Sequence, residues 1–373
     1  MSTKIWRAAV IGRTGRGNYG HGLDVVWKQF PNVQIVAVAD ENEAGLTKAA
    51  ERLGCKARYA DYRKMLREER PDLVSIGPRW PDCHLEMALA AAEARASIYM
   101  EKPISRTPAE ADRMIDACDR AHVKLAVAHQ MRIAPVLELA KRRIAEGAIG
   151  KLQEMRGRGK EDQRGGGEDL MVLGTHVMDL MRQFAGDPVW CFGSATVGGR
   201  DVKRTDVTEG PEALGPLAGD AISATYSFPS DVTGYFVSKR GQANGVRWGL
   251  DLYGSKGIMT IRANMAPEVH ICESPRWTDS GWTRLVSPDD ALPGNASPRG
   301  QDEANRALVA DLLDAIEKDR APIASGVEAR WTIEMALAVY ESHRTGGRVG
   351  FPLKSREHPL TAPPQTRGAG RSR

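Results

Sequence analysis

The chain has 373 residues, 42% of them hydrophobic and 27% charged, with a formal net charge of +4. That length predicts two domains, the composition is that of a globular protein, and the lack of any apolar run of about 18 residues excludes a membrane span. The charge excess lies wholly in residues 354–373, where Lys354, Arg356, Arg367, Arg371 and Arg373 face only Glu357, so the body is neutral and offers no basic face to nucleic acid.

The opening "MSTKIWRAAVIG" has too short an apolar run for a secretory signal. The five cysteines (Cys55, Cys83, Cys118, Cys191, Cys272) are scattered, odd in number and without a C-x-x-C pair. They read as free thiols of a cytoplasmic protein. "WRAAVIG" is a first strand, "GHGLDVVWKQF" an amphipathic helix, "VQIVAVAD" a second strand, and "ENEAGLTKAAERLG" a helix closed by Gly54. A helix "DYRKMLREERP", a strand "DLVSIGP", a helix "CHLEMALAAAEA" and a strand "ASIYMEKP" follow. "TPAEADRMIDACDRAH" opens a helix with Thr107 as N-cap and Pro108 as first residue, and "VKLAVAHQ" is a last strand. Strands apolar throughout, alternating with helices, predict a doubly wound α/β domain with a parallel sheet over residues 1–131.

After one more helix, "IAPVLELAKRRIAEGAIG", the pattern changes to longer runs that alternate apolar and polar residues, from "KLQEMRGRGKED" to "EVHICESP". They predict a large, mostly antiparallel sheet. With the late helices "QDEANRALVADLLDAIEKDR" and "VEARWTIEMALAVYESHRTG" it forms a second α/β domain over residues 132–353. Two polar inserts interrupt it, "GGRDVKRTDVTEGPEALGPLAG" and "RWTDSGWTRLVSPDDALPGNASPRG". The basic, Pro/Gly-rich tail 354–373 reads as disordered.

Three local patterns carry chemistry. The first strand runs into "GRTGRGNYGHG", and a turn that begins at the strand end gives Gly12-x-Thr14-x-x-Gly17, with Arg13 and Gly15 beside Thr14. Glycines let backbone N–H groups approach a pyrophosphate at a helix N-terminus. The second strand ends at Asp40, 23 residues after Gly17, where a carboxylate accepts hydrogen bonds from an adenosine ribose. Asp40 and Glu41 together repel a 2′-phosphate, so NAD is the expected cofactor.

Lys102, in "YMEKPIS", follows a parallel strand and therefore sits at the carboxyl edge of the sheet, where ligands bind. Pro103 biases it towards an extended backbone and Glu101 supports it. By itself Glu–Lys–Pro is more often an ordinary surface turn. In "GGGEDLMVLGTHVMDLMRQFAG" a triple glycine leads into one helix carrying His176 and Asp179 at i,i+3, with Val172 one turn before the histidine. Gly174 inside it costs about 1 kcal/mol and points to a close approach of another surface. A packed core histidine is the competing reading. No His, Cys, Asp or Glu cluster has ligand spacing, so no metal is expected.

Taken together, "AVIGRTGRG", "VAVAD", "SIGP" with His84 beyond it, "MEKPIS", "EGAIGKLQ", "GGGEDLMVLGTHVMDL", "YGSKGIMTI" and "YESHRTGGRVGFPL" resemble the glucose–fructose oxidoreductase, inositol dehydrogenase and rhizopine-catabolism family (Gfo/Idh/MocA). The resemblance implies an N-terminal Rossmann domain and a C-terminal α/β domain with a large antiparallel sheet. It implies hydride transfer between NAD and a sugar or polyol, with Lys102 and His176 moving the proton. Cofactor contacts are implied at Gly12, Arg13, Thr14, Gly15, Gly17, Asp40, Pro78, His84, Glu101 and Lys102, and substrate contacts at Arg132, Arg164 and Asp179. The family often forms dimers or tetramers.

One position departs from that pattern. Val172 stands where many members carry an aspartate, and Asp169 lies about 10 Å of helix rise from His176. Glu161, Asp162 and Arg164 are candidates to orient the imidazole instead. A redox-neutral route therefore stays open, in which a sugar is transiently oxidised, eliminates a leaving group and regains its hydride, as in a glycosidase or epimerase. Lys203 and Arg204 in the polar insert read first as a solvated loop and otherwise suit an anionic sugar, and Trp277 and Trp282 suit a sugar face or equally an ordinary packed loop. An NAD-binding protein without catalysis is the third reading.

Overall fold

The computed structural model describes residues 4–242, 248–264, 267–276, 280–287 and 301–362; Trp277 and the last eleven residues of the tail lie outside them. In the first lobe the elements run β1 (Trp6–Ile11), β2 (Val33–Ala39), α1 (Glu43–Leu53), β3 (Ala57–Tyr59), α2 (Tyr62–Glu69), β4 (Leu73–Ile76), α3 (His84–Glu93), β5 (Ser97–Met100), α4 (Pro108–Ala121) and β6 (Leu125–Val127). All six strands are parallel, in the order β3-β2-β1-β4-β5-β6. Every residue of β4 and β5 is buried, as a sheet covered on both faces requires. The order reverses between β1 and β4, which opens a crevice at their carboxyl ends. The local signals hold: Thr107 caps α4 ahead of Pro108, and Gly54 ends α1 in the left-handed region.

The helix expected over "GHGLDVVWKQF" does not form; only a single 3₁₀ turn, Val26–Gln29, is helical there. Gly15, Gly17, Gly20 and Gly22 have φ of 85°, 87°, 67° and 83°, and Asn18 has 54°. A right-handed helix cannot contain such residues.

The second lobe begins with α5 (Pro135–Ala145), β7 (Leu152–Arg158), α6 (Gly167–Val172), α7 (Gly174–Ala185), β8 (Trp190–Val197) and the two-residue β9 (Arg200–Asp201). The polar insert holds a small ribbon, β10 (Thr208–Glu209) with β11 (Pro216–Leu217). Then come β12 (Ala221–Phe228), β13 (Val232–Lys239), β14 (Gly249–Gly254), β15 (Ile258–Arg262), β16 (Glu268–Cys272) and β17 (Trp282–Leu285). Two helices, α8 (Gln301–Glu317) and α9 (Gly326–Thr345), and a short β18 (Val349–Gly350) complete the described chain. The large sheet runs β17-β16-β15-β14-β7-β13-β12-β8-β18, antiparallel except between β13 and β7. α7 and α9 cover one face of it. The opposite face exposes Phe192 and Tyr235 on a row that continues through Arg156 and Asp251.

Two features differ from the expected division. Helix α8 packs on the first sheet: Leu308, Val309 and Leu312 share a buried cluster with Trp6, Ala8 and Val10. It covers the face that the missing helix after β1 leaves bare. The first nine residues of the tail are ordered against α4 and α9. Arg356 donates to Asp112 at 2.8 and 3.0 Å and pairs with buried Glu334, and His358 is buried. Among the described residues no helix is long and apolar enough to cross a membrane.

Candidate active site

The glycine loop starts where β1 stops, at Gly12. A Cβ there would lie 2.1 Å from the ring of Tyr19, so only glycine lets that ring pass and its hydroxyl donate to Asp40 at 2.9 Å. Asp40 is buried and also accepts from Thr14 N at 3.0 Å, Thr14 Oγ1 at 2.6 Å and Asn42 N at 2.9 Å. A carboxylate has about four acceptor positions. Asp40 therefore holds the loop together as well as lining the cavity at the ends of β1 and β2. The acid that stays exposed is Glu41, which accepts from Arg13 Nε at 2.7 Å. Arg13, Glu41 and Gly12 line a cavity of about 410 Å³ between the ends of β1 and β2. Gly17, at φ 87°, presses against the connection after β4: its carbonyl accepts from Arg79 N, and an added Cβ would lie 2.3 Å from that nitrogen.

The amides of Thr14, Gly15, Arg16 and Asn18 are engaged within the loop and by Asp40, and no α-helix starts there. The amide cradle at a helix N-terminus expected from the sequence is thus replaced by a tight knot. Its two flanks still fit an elongated dinucleotide, with one cavity at the β1–β2 edge and a second, of about 280 Å³, beside Lys102.

Lys102 and its neighbours form the floor of the second cavity. Glu101 is fully buried and accepts from Lys102 N at 2.6 Å, from His21 N at 3.1 Å and from the His21 ring. Burial pushes its carboxyl up, but His21 and Lys102 outweigh this and hold it below the ordinary range. The Lys102 ammonium donates to the main-chain carbonyl of Val172 at 3.3 Å. Burial lowers its pKa below the usual lysine value, Glu101 and Glu212 oppose the shift, and Arg164 and Arg79 add to it. Behind this segment His84 is wholly buried, its ring nitrogens against the carbonyls of Pro78 and Ile104 at 2.7 and 3.2 Å. His84 and Pro78, expected at the cofactor, line neither cavity and brace the Glu–Lys–Pro turn.

The histidine helix is two helices. Leu173, at φ −116°, separates α6 from α7, and His176 N bonds to Leu173 O. Gly174 packs against Phe236, where a Cβ would come within 2.9 Å of the ring. His176 lines the cavity, and the rings that face it are His129 at 5.4 Å and Trp248 at 5.9 Å between centroids. Burial holds His176 well below the ordinary histidine pKa, with Lys102, His129 and His21 adding to the effect. Glu161 and Asp162 are engaged elsewhere, with Arg158 and with Arg164. Arg132 and Asp179, expected at the substrate, are tied to each other at 2.8 and 3.0 Å in a buried network with Glu328. Arg164 does line the cavity. Asp169 is buried and accepts from Ser238 Oγ and Glu161 N.

Three site residues escape the sequence reading. His129 follows β6 at the same sheet edge as Lys102 and Arg79 follows β4, so applying the carboxyl-edge rule to every strand finds both. His129 is buried, and among the described residues neither ring nitrogen has a hydrogen-bond partner. Asn305 gave no local signal. From α8 it accepts from Tyr99 OH at 2.7 Å and donates to His21 O at 2.8 Å, fixing the loop to β5. Lys203, Arg204 and Trp282 line neither cavity.

Comparison with known proteins follows the geometry. Residues 6–129 match the family described as GFO/IDH/MocA oxidoreductase, NAD-binding Rossmann fold, and residues 137–260 match the GFO/IDH/MocA C-terminal domain. The chain is 26% identical to the D-apiose dehydrogenase of Paraburkholderia graminis over 374 residues, covering 95% of this chain and 92% of that one. It is 26% identical to the levoglucosan dehydrogenase of Pseudarthrobacter phenanthrenivorans over 286 residues, 69% of this chain and 72% of the other. A levoglucosan dehydrogenase solved with NADH and levoglucosan shares the fold, with a TM-score of 0.76 over 93% of this chain and 99% of that one at 22% identity.

Proposed function

The chain belongs to the Gfo/Idh/MocA oxidoreductases, whose N-terminal domain is an NAD-binding Rossmann fold, and from that premise we propose that it oxidises a sugar or polyol hydroxyl with Lys102 as the base. One observation carries this reading. Lys102 reaches from the end of β5 to the helix break at Val172, in the cavity that His176 lines. NAD, when bound, supplies the hydride acceptor, and Arg13, Gly12 and Glu41 on one side of the loop and the Lys102 cavity on the other are the residues to hold it.

The proton chemistry divides between the two bases. A buried amine with a lowered pKa is neutral in a larger fraction of molecules near pH 7, so Lys102 can take the hydroxyl proton. His176 stays a neutral imidazole and orients the same hydroxyl by a hydrogen bond. Glu101, bonded to the Lys102 main chain, fixes the turn that aims the amine. Val172 serves through its carbonyl, so its apolar side chain does not by itself favour the redox-neutral route.

The division near residues 131 and 132 and the assembly state belong to the same reading. The open sheet face with Phe192, Tyr235 and Val237 exposed supports a homodimer or tetramer, and five free, buried cysteines suit the cytoplasm. The test is direct: purified protein, NAD and a panel of sugars and polyols, with NADH absorbance followed for the wild type, Lys102→Met and His176→Asn. Full turnover in both variants overturns the assignment. Stoichiometric NAD(H) released on denaturing the purified protein, without NADH production, selects the redox-neutral route.

A further inference from the structure

We infer that the substrate is an acidic sugar, a uronic or aldonic acid, whose carboxylate is held by Lys160 and Arg164 while its reacting hydroxyl meets Lys102. The inference rests on reading the Lys102 cavity as the substrate site.

The cavity wall is strongly one-sided. Four cationic side chains, Arg79, Lys102, Lys160 and Arg164, line it with one carboxylate, Glu212. The other polar groups include the amides of Gln130 and Asn264, which both donate and accept, and the indole donor of Trp248. A site for a neutral polyol needs acceptors for the hydroxyl protons, and carboxylates are the usual supply. Here the position four residues before His176 is apolar Val172.

Lys160 and Arg164 pair directly with one carboxylate, Asp162, with Arg164 at 2.7 Å and Lys160 at 3.8 Å, and Glu168 acts on Arg164 from beyond direct contact. Arg79 meets Glu212 only at 3.7 Å, and the Lys102 ammonium is bonded to a carbonyl, with Glu101 beneath it. On the cavity wall itself the cations outnumber the carboxylates. Arg164 and Lys160 also lie on the wall away from the cofactor: both follow β7 of the large sheet, whereas Arg79 bonds the glycine loop through its main chain. An arginine beside a lysine is suited to a carboxylate, which accepts from a guanidinium fork and an ammonium together. Lys203 and Arg204, the exposed cations that the sequence offers for an anionic sugar, lie outside the cavity.

The experiment uses the full-length protein with NAD and matched pairs: D-glucuronate with D-glucose, D-galacturonate with D-galactose, and D-gluconate with D-glucitol. Turnover and calorimetric binding to the protein–NAD complex are both measured. The acids should bind and turn over at least tenfold better than their neutral partners. Arg164→Gln and Lys160→Gln should each raise KM or Kd for the acid by about 10- to 100-fold, the loss of a charged hydrogen bond, and change the Kd of the neutral partner and of NAD far less. Arg164→Lys should recover part of the loss. Equal or better use of neutral sugars, no binding of any acid, or variants that weaken NAD rather than the acid overturns the inference. Neutral-sugar oxidation without acid preference leaves the oxidoreductase reading standing, whereas acid binding lost in Arg164→Gln without NADH production supports the inference and overturns that reading.

Discussion

Lys102 Nζ hydrogen-bonds the carbonyl of Val172 at 3.3 Å because the helix beneath it is broken. In an unbroken helix that carbonyl accepts from residue 176, but His176 N turns to Leu173 O, leaving Val172 O to Lys102 and, at 3.5 Å, the Thr175 hydroxyl. The position is used through its backbone, which is why an apolar side chain serves there.

Val172→Ala should accordingly keep turnover within a few-fold, while Lys102→Met should lose about 10²-fold or more, the usual span of a general base. The rising limb of kcat/KM against pH should report a lysine titrating below its ordinary value. Val172→Asp places an anion beside Lys102, favours the charged amine and moves that limb to higher pH. A limb unmoved by Val172→Asp would mean that another group titrates.

Cofactor choice should follow Glu41, not Asp40. Glu41→Ser removes the exposed acid and frees Arg13 for a 2′-phosphate, so the NAD preference over NADP should narrow by about tenfold, the worth of one charged contact. Asp40→Asn should weaken both cofactors together and lower the melting temperature, since it disturbs the bonds to Thr14, Tyr19 and Asn42. Titrations with both nucleotides decide; an unchanged ratio in Glu41→Ser counts against the assignment.

Two buried histidines make the fold acid-sensitive. Burial holds His129 and His358 down to about 4, and His358 Nδ1 is further engaged as the acceptor of Leu360 N. Between pH 6.5 and 4 the unfolded chain binds protons that the folded chain does not, so stability falls as pH falls. From pH 7 to pH 5 each should cost roughly 2 kcal/mol. His129→Phe, which also removes two unpartnered buried nitrogens, should flatten the decline in denaturant titrations at the two pH values. An unchanged pH slope would show that His129 already binds its proton in the folded state.

Truncation after Ala362 should leave the melting temperature unchanged, but truncation after Leu353 should lower it by several degrees. The second cut removes Arg356 from Asp112 and from fully buried Glu334. Arg356→Met alone should cost about 1–3 kcal/mol, the loss of a charged contact to a buried carboxylate that keeps Arg330 and the Leu353 amide. Equal melting of the two truncated chains would mean that the contacts of Arg356 carry no weight.

The parallel sheet was legible because its strands are apolar throughout and their helices carry ordinary caps, Thr107–Pro108 and Gly54 among them. The carboxyl-edge rule found Lys102. What failed was pattern read without backbone conformation: "GHGLDVVWKQF" has helical periodicity, but left-handed glycines forbid the helix, and Leu173 breaks another whose periodicity is intact. Long-range pairing was also hidden. Asp40 has its four donors, and Arg132 its partners Asp179 and Glu328, only because the fold brings distant segments together. No local signal marks Arg356 as a docking residue in a tail rich in Pro, Gly and Arg.

The return of α8 to the first sheet sets a schedule for synthesis. Trp6, Ala8 and Val10 leave the ribosome early, but Leu308, Val309 and Leu312, which cover them, follow only after β7 to β17 have been made. At bacterial and eukaryotic elongation rates that interval is on the order of ten seconds or more. Through it the nascent first lobe carries a bare apolar face, and His21 lacks the anchor that Asn305 provides. The cofactor loop thus gains its anchor from Asn305 only when the chain is nearly complete.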